Sequence, residues 1–312
     1  MDTSDSLNLD GTTKLSTKER GSYGYAQKMW AAMTYAFRRL QVEVSSYMCS
    51  LRRHKAGEVA VSAHAITSCV LKKMYHFNNL PENLAIHDYW PRGRGDTSES
   101  LRWAGGRMRH CLHAIYTIAF LCMLHSDEVL KIQAHDIHFF SNGLVLTLPF
   151  RKTHQNRDIK PFWLWLMPTE EEHLCAIQAI AEWTVASQIM TRYLFRKFAS
   201  GDRVTEANHP IMSERFLELF HNNLLDIGLD PSSYGTHSFW RGGCQYLHAE
   251  HWWPLHRICG WGGWSLEFTN LTIIKYLISH NDNATEPREQ FFNPDRRPSI
   301  KCPCCGRSCL CA

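Results

Sequence analysis

The sequence predicts a mainly α (α+β) protein of two lobes, with one small three-stranded antiparallel sheet set among helices. Three observations carry this. Apolar residues recur at helical spacing along most of the chain, the period shortens to that of strands only between Phe139 and Met167, and a breaker-rich stretch at 91–96 interrupts the pattern. With 312 residues, 44% of them hydrophobic, the chain has enough apolar material for two domains.

In chain order, a polar arm at 1–17 has no apolar run of the kind a secretory signal needs, so the protein is expected inside the cell. Helical periodicity follows at 25–40 and 42–53, and again at 62–76, where Ile66, Val70, Met74 and Phe77 share a face. These define an N-terminal helical domain at 1–90. Pro91-Arg92-Gly93-Arg94-Gly95-Asp96 is the linker. A second domain at 97–285 opens with one or two long buried helices over 102–132, marked by Ile115, Ile118, Ala119, Cys122, Val129 and Ile132. The charge-free run inside them ends at Arg109 and Asp127, too short to cross a hydrocarbon layer ~30 Å thick, so no membrane partner is expected.

Phe139-Phe140 and 144–148 read as two strands joined by a tight turn at Ser141-Asn142-Gly143. A polar turn at 152–158 leads to a third strand at 161–167. Helices are predicted at 169–198, 213–228, 237–248 and 270–279, and a Cys-rich tail occupies 286–312.

Seven of the twelve cysteines are scattered among apolar neighbours and read as reduced packing residues. The other five crowd the last eleven residues. Cys302 and Cys305 form a C-x-x-C with an intervening Pro, and Cys309 and Cys311 add two further thiolates. This is a candidate zinc site, or half of a truncated zinc ribbon.

The charge is unevenly spread. Residues 1–94 carry a balance of +5 and the remainder −1. Arg38, Arg39, Arg52, Arg53 and Lys55 lie in helical segments, where they either meet nucleic-acid phosphates or form solvated helix faces.

Four segments hold polar residues where packing does not ask for them: 124–130 around His125 and Glu128, Arg151-Lys152-Thr153, the run from Thr236 and His237 through Trp240 and Arg241 to Gly243, and Trp261-Gly262-Gly263-Trp264 followed by Thr272 and Tyr276. Singly, His125 reads as a satisfied helix histidine, Lys152 as a solvated hairpin lysine and Tyr276 as a core tyrosine. No phosphate-binding G-x-x-x-x-G-K-[ST] loop and no G-x-S-x-G elbow occurs.

Taken in order, these segments resemble the tyrosine recombinases, the DNA breaking and rejoining enzymes, and in particular the crypton-like recombinases of eukaryotic mobile elements. The resemblance covers nearly the whole chain. It implies a helical core-binding domain followed by an integrase-like catalytic domain, the two clamping duplex DNA, with no metal or other cofactor needed for catalysis. It places the nucleophile at Tyr276, the leaving-group acid at Lys152, the motif histidine at His237 and the second His/Trp position at Trp264. It also implies a nuclear location and an assembly of copies on DNA. Arg241 joins the N-terminal cations as an expected DNA contact.

At two positions the sequence departs from that pattern. The family places arginines where this chain has His125 and Trp240. Guanidinium forks suit the non-bridging oxygens of a pentacoordinate phosphorane, whereas imidazole offers one donor and indole N–H carries no charge. If each loss equals that of an oxyanion-hole donor, about 10²–10³ in rate, the pair costs about 10⁴–10⁶. Little or no strand cleavage is expected. Arginine codons CGC or CGT become His, and CGG becomes Trp, by one transition at a CpG, which fits a decayed mobile-element gene. The competing readings are a non-catalytic DNA-binding module, with Tyr276 structural, and a helical interaction scaffold with a zinc tail.

Overall fold

The computed structural model describes residues 63–86, 103–149, 151, 159–199 and 202–264. The helices predicted at 25–40, 42–53 and 270–279, the linker at 91–96 and the Cys-rich tail lie outside the described residues. The protein is mostly helical with a small three-stranded antiparallel sheet. Its elements are α1 (Ser68–Asn78), α2 (Pro81–Leu84), α3 (Gly106–Leu121), α4 (Ser126–Val129), β1 (Ile137–Phe140), β2 (Gly143–Leu146), β3 (Phe162–Trp165), α5 (Ala176–Ser187), α6 (Ser213–Asp226), α7 (Ser238–Gln245) and α8 (Leu255–Gly262).

Helix α3 is the axis of the fold. Fourteen of its sixteen residues are buried, because elements pack on every side of it. Its start is tied by Asp202, whose carboxylate accepts from the backbone N–H groups of Arg107 and Met108, both at 2.8 Å. These are orphan donors of the first turn, and a carboxylate there also meets the positive end of the helix. The one or two helices expected over 102–132 are α3 and the short α4, with the break at Cys122. Met123 takes a left-handed conformation (φ 49°), a rare one for a residue with a side chain, and the Leu124 N–H returns to the Ala119 carbonyl at 3.0 Å. The chain then runs extended into α4.

Helix α1 shares this core. Val70, Leu71 and Met74 pack in one cluster with the residues of α3, and Asn78 exchanges hydrogen bonds with Asn223 of α6 at 3.1 and 2.9 Å. The Arg109 guanidinium donates to Asn78 at 2.6 Å and pairs with Asp226 at 2.9 Å. The segment 62–76, expected in the N-terminal lobe from its period alone, therefore packs with the helices of the second. Periodicity reports a buried face and not what covers it.

The sheet runs β1-β2-β3, all antiparallel, with Phe140 opposite Gly143 and Leu146 opposite Phe162. Gly143 belongs to β2 and not to the turn. A Cβ there would fall 2.3 Å from the Phe140 ring, so its missing side chain makes room for that ring and not for a positive φ. The helix predicted over 169–198 is shorter than expected. It begins as a 3₁₀ turn, continues as α5 and stops where Gln188 turns left-handed (φ 58°). Its remainder forms isolated bridges, including Gln133 to Tyr193 and Arg196 to Pro210.

Candidate active site

The site is assembled from two segments that open helices and one that closes a helix. His125 precedes α4 in extended backbone (φ −68°, ψ 153°), and its N–H donates to the Glu128 carboxylate at 2.9 Å, a side chain three residues on satisfying the chain before the helix. His237 occupies the position before α7, so His237 and Trp240 stand one turn apart on the same face. Trp264 follows α8 just past Gly263, which closes that helix in the left-handed region (φ 64°).

These segments meet. The His125 and Trp240 rings lie 4.1 Å apart between centroids, His125 and His237 5.1 Å apart, and Trp240 and Trp264 5.4 Å apart. Two glycines allow it. A Cβ on Gly242 would sit 2.1 Å from the Ile66 carbonyl oxygen, and one on Gly243 2.0 Å from that of Phe120. Helix α7 therefore presses backbone to backbone on α3, and this depth brings His237 and Trp240 to His125.

In front of the two histidines opens a cavity of about 400 Å³. His125, Ser126, Asp127, Lys131, Thr236 and His237 contribute to its wall. Asp127 accepts from the Ser213 hydroxyl at 2.6 Å. Trp240 stands behind the histidines, 5% exposed, and backs the His125 ring. The Trp264 Nε1 is buried and has no hydrogen-bond partner among the described residues.

Arg241 corrects an expectation. Expected at DNA, it is 2% exposed and donates to the Ala63 carbonyl. One residue along a helix turns the side chain about 100° away from Trp240, which here points it into the core and not toward a groove. Lys152, Tyr276, Arg38, Arg39, Arg52, Arg53, Lys55, Cys302, Cys305, Cys309 and Cys311 lie outside the described residues.

Arg151, named in the sequence only as the neighbour of Lys152 and given no role there, has one in the structure. It is 2% exposed and its guanidinium donates to the Gly262 carbonyl at 2.6 Å and the Met123 carbonyl at 3.2 Å, with Glu128 3.8 Å from its Nε. Burial pulls its pKa down and the Glu128 carboxylate pushes it back up. One planar cation thus holds the turn before His125, the capping carboxylate of α4 and the end of α8 in register. The signal available in the sequence was its placement beside Lys152 at the end of a strand, where a buried charge is not the default reading.

No family model matches the chain, and no curated protein does. Among solved structures the chain is similar to the XerH site-specific recombinase bound to palindromic difH substrate in a post-cleavage complex, with TM-score 0.44, 11% identity, and 69% of this chain and 49% of that one covered. It is similar to XerH bound to difH in a pre-cleavage complex, with TM-score 0.43, 11% identity and coverages of 70% and 51%. A third similarity is to the FLP recombinase in a Holliday junction complex, with TM-score 0.38, 8% identity and coverages of 89% and 59%. The chain spans about half the length of the XerH structures it matches.

Proposed function

We propose that the chain is a DNA-binding protein of the tyrosine-recombinase type in which strand cleavage is degenerate. The observation that carries this reading is the convergence of His125, His237, Trp240 and Trp264. They come from three segments far apart in sequence, gather in one place in the order the motif requires, and two of them are not the residues the chemistry uses. In the intact reaction the Tyr276 phenolate attacks the phosphorus of a DNA phosphodiester, the P–O bond to the 5′ oxygen breaks, and Lys152 supplies the proton to that oxygen. The phosphorane between those states needs cations at positions 125 and 240, and this chain has an imidazole and a buried indole there.

The same reading assigns duplex DNA to Arg38, Arg39, Arg52, Arg53 and Lys55, a nuclear location, a homo-oligomer on DNA, and zinc to Cys302, Cys305, Cys309 and Cys311, with no cofactor in strand transfer. It also derives the gene from a mobile element of the crypton kind.

The deciding experiment uses suicide duplex substrates. The unmodified chain gives no covalent DNA adduct, and His125→Arg with Trp240→Arg gives more adduct than the product of the two single effects, because contacting residues that serve one phosphate act as a unit. Tyr276→Phe in that background abolishes it, and Lys152→Ala lowers it. Abundant adduct from the unmodified chain overturns the degenerate reading. A folded, DNA-binding double revertant without adduct leaves a non-catalytic DNA-binding module. Binding itself is read from the salt slope, which charge reversal of Arg38, Arg39, Arg52 and Arg53 flattens.

A further inference from the structure

We infer that the outer face of the small sheet is a stacking platform for the unpaired bases of a single-stranded nucleic acid. The inference rests on β1, β2, β3 and the chain that joins them, and it uses none of the residues gathered around His125.

Alternation along the strands sorts their side chains to two faces. Leu144, Leu146, Phe162 and Leu164 join the core, so the residues between them point away from it. The register places His138, Val145 and Trp163 in one cross-strand row, and Phe140, Gly143 and Trp165 in the next. Trp163 is 51% exposed and Trp165 57%, although tryptophan is among the side chains that folding buries most. The missing side chain of Gly143 seats the Phe140 ring over the middle strand. From there the ring meets Trp163 at 5.7 Å and Trp165 at 5.2 Å between centroids. Three rings from two non-adjacent strands thus form one continuous aromatic surface.

Size decides against a protein partner. At ~250 Å² for a whole tryptophan, the exposed parts of Trp163 and Trp165 come to about 270 Å², a third of the ~800 Å² a side that a standard protein interface covers. Two or three bases need no more, and sheet faces with exposed aromatic rings hold about that number by stacking. Trp163 and Trp165 are two residues apart, ~6.6–6.8 Å along a strand and about twice the ~3.4 Å rise of stacked bases, so each ring can take its own base or both can enclose one. Bases inside a duplex show only their edges in the grooves, so ring faces select unpaired ones.

The charge of the connection fits an anionic backbone. Residues 147–161 leave the sheet beside Leu146 and return to it beside Phe162, and their sequence holds Arg151, Lys152, Arg157 and Lys160 against Asp158 alone. Even without Arg151, which serves the core, the connection carries three cations to one anion, and Lys160 is exposed two residues before Phe162. The acidic run Glu170-Glu171-Glu172 follows β3 beyond its other end, where Glu171 accepts from the Tyr246 hydroxyl at 3.3 Å.

The test is the fluorescence anisotropy of a labelled oligothymidylate of about ten nucleotides with the full chain, beside an abasic strand of the same length and a duplex. The oligothymidylate should bind, and the abasic strand, which keeps the phosphates and lacks the bases, should bind more weakly by about tenfold or more. Trp163→Ala and Trp165→Ala should each weaken oligothymidylate binding by about 5- to 150-fold, the span of one lost base stack. Trp165→Phe should retain most of the affinity, and Lys160→Ala should flatten the salt slope. Phe139→Ala removes an exposed ring from the opposite face of β1 and should change nothing. All four positions are exposed, so these variants keep the fold. Equal affinity for the abasic strand, tryptophan variants that bind like the unmodified chain, or a parallel loss of duplex binding overturns the inference. Association of copies that the same variants abolish, without oligonucleotide binding, also overturns it and assigns the face to a second copy. Duplex binding without oligothymidylate binding removes the platform and keeps the proposed function, whereas the opposite result keeps the platform and removes duplex binding.

Discussion

The His125 imidazole meets the Trp240 indole at 4.1 Å between centroids and 61° between planes, an edge-to-face contact between the two residues that stand where the resemblance places arginines. Two guanidiniums at that separation would repel unless they shared an anion, whereas an imidazole and an indole need none. The contact gives the site a packed resting state without ligand. Trp240 loses nearly all its water contact to reach it, and the apolar area so buried contributes to holding α7 against the turn before α4.

Arg151 links that turn to the end of α8. Arg151→Met should cost about 3–5 kcal/mol, because it removes the cation beside the buried Glu128 carboxylate and leaves two carbonyls without their donor. Adding Glu128→Gln to it should recover part of the loss. Urea denaturation of the single and double variants checks this, and equal stability of Arg151→Met and the unmodified chain would show that the cation is not what joins the segments.

The glycines of α7 should be far less tolerant than Gly260 of α8. Gly242→Ala and Gly243→Ala each drive a methyl group to within 2.1 Å of a backbone oxygen, so each should cost about 1–3 kcal/mol, or more where the helix must move. Gly260→Ala meets nothing within 4 Å among the described residues and should be neutral or stabilise by up to about 1 kcal/mol, the ordinary gain from Ala over Gly in a helix. Thermal melts of the three variants give the ranking. A tolerated Gly243→Ala would contradict the close approach of α7 to α3.

Acid should weaken the fold through two buried histidines. Burial pushes His113 down from 6.5 to about 4, the Glu182 carboxylate only partly opposing it, and burial together with Lys72 and His76 pushes His173 down to about 4. Between those values the unfolded chain binds protons that the folded chain refuses. Stability is thus full above pH 6.5 and falls toward pH 4, by about 3 kcal/mol for His113 alone. Chemical denaturation of the unmodified chain and of His113→Gln at several pH values in this window should show a shallower acid loss for the variant. Parallel profiles would mean that His113 is solvated.

An ion pair between the buried Arg109 and the partly buried Asp226 anchors α1 and α6 to the central helix. Asp226→Leu strips Arg109 of its countercharge while leaving it 5% exposed, and should cost about 3–5 kcal/mol, with the Asn78 bond insufficient to compensate. Amide hydrogen exchange should report the loss first in α1 and α6. Uniform loss of protection over the whole domain would argue for a single cooperative unit.

Much of this was legible before any fold was known, and the divisions follow from range. The mainly helical composition, the position of the hairpin, the helix beginning at Ser213 and the buried character of 106–121 are local properties of apolar spacing and turn residues, which one segment carries by itself. His125, His237, Trp240 and Trp264 were likewise identifiable, since their order and spacing are written in the chain. What only the tertiary structure decided is what touches what. The side of the protein that Arg241 enters, the burial of Trp240, the membership of α1 in the α3 core and the closure of three segments by Arg151 depend on partners up to 178 residues away, as the bond from Arg241 to Ala63 illustrates. A residue's own sequence neighbourhood sets its helix phase, but the neighbour that meets each face is chosen by the packing of all the others, and so a cation on a helix reads the same whether it faces a groove or a carbonyl in the core.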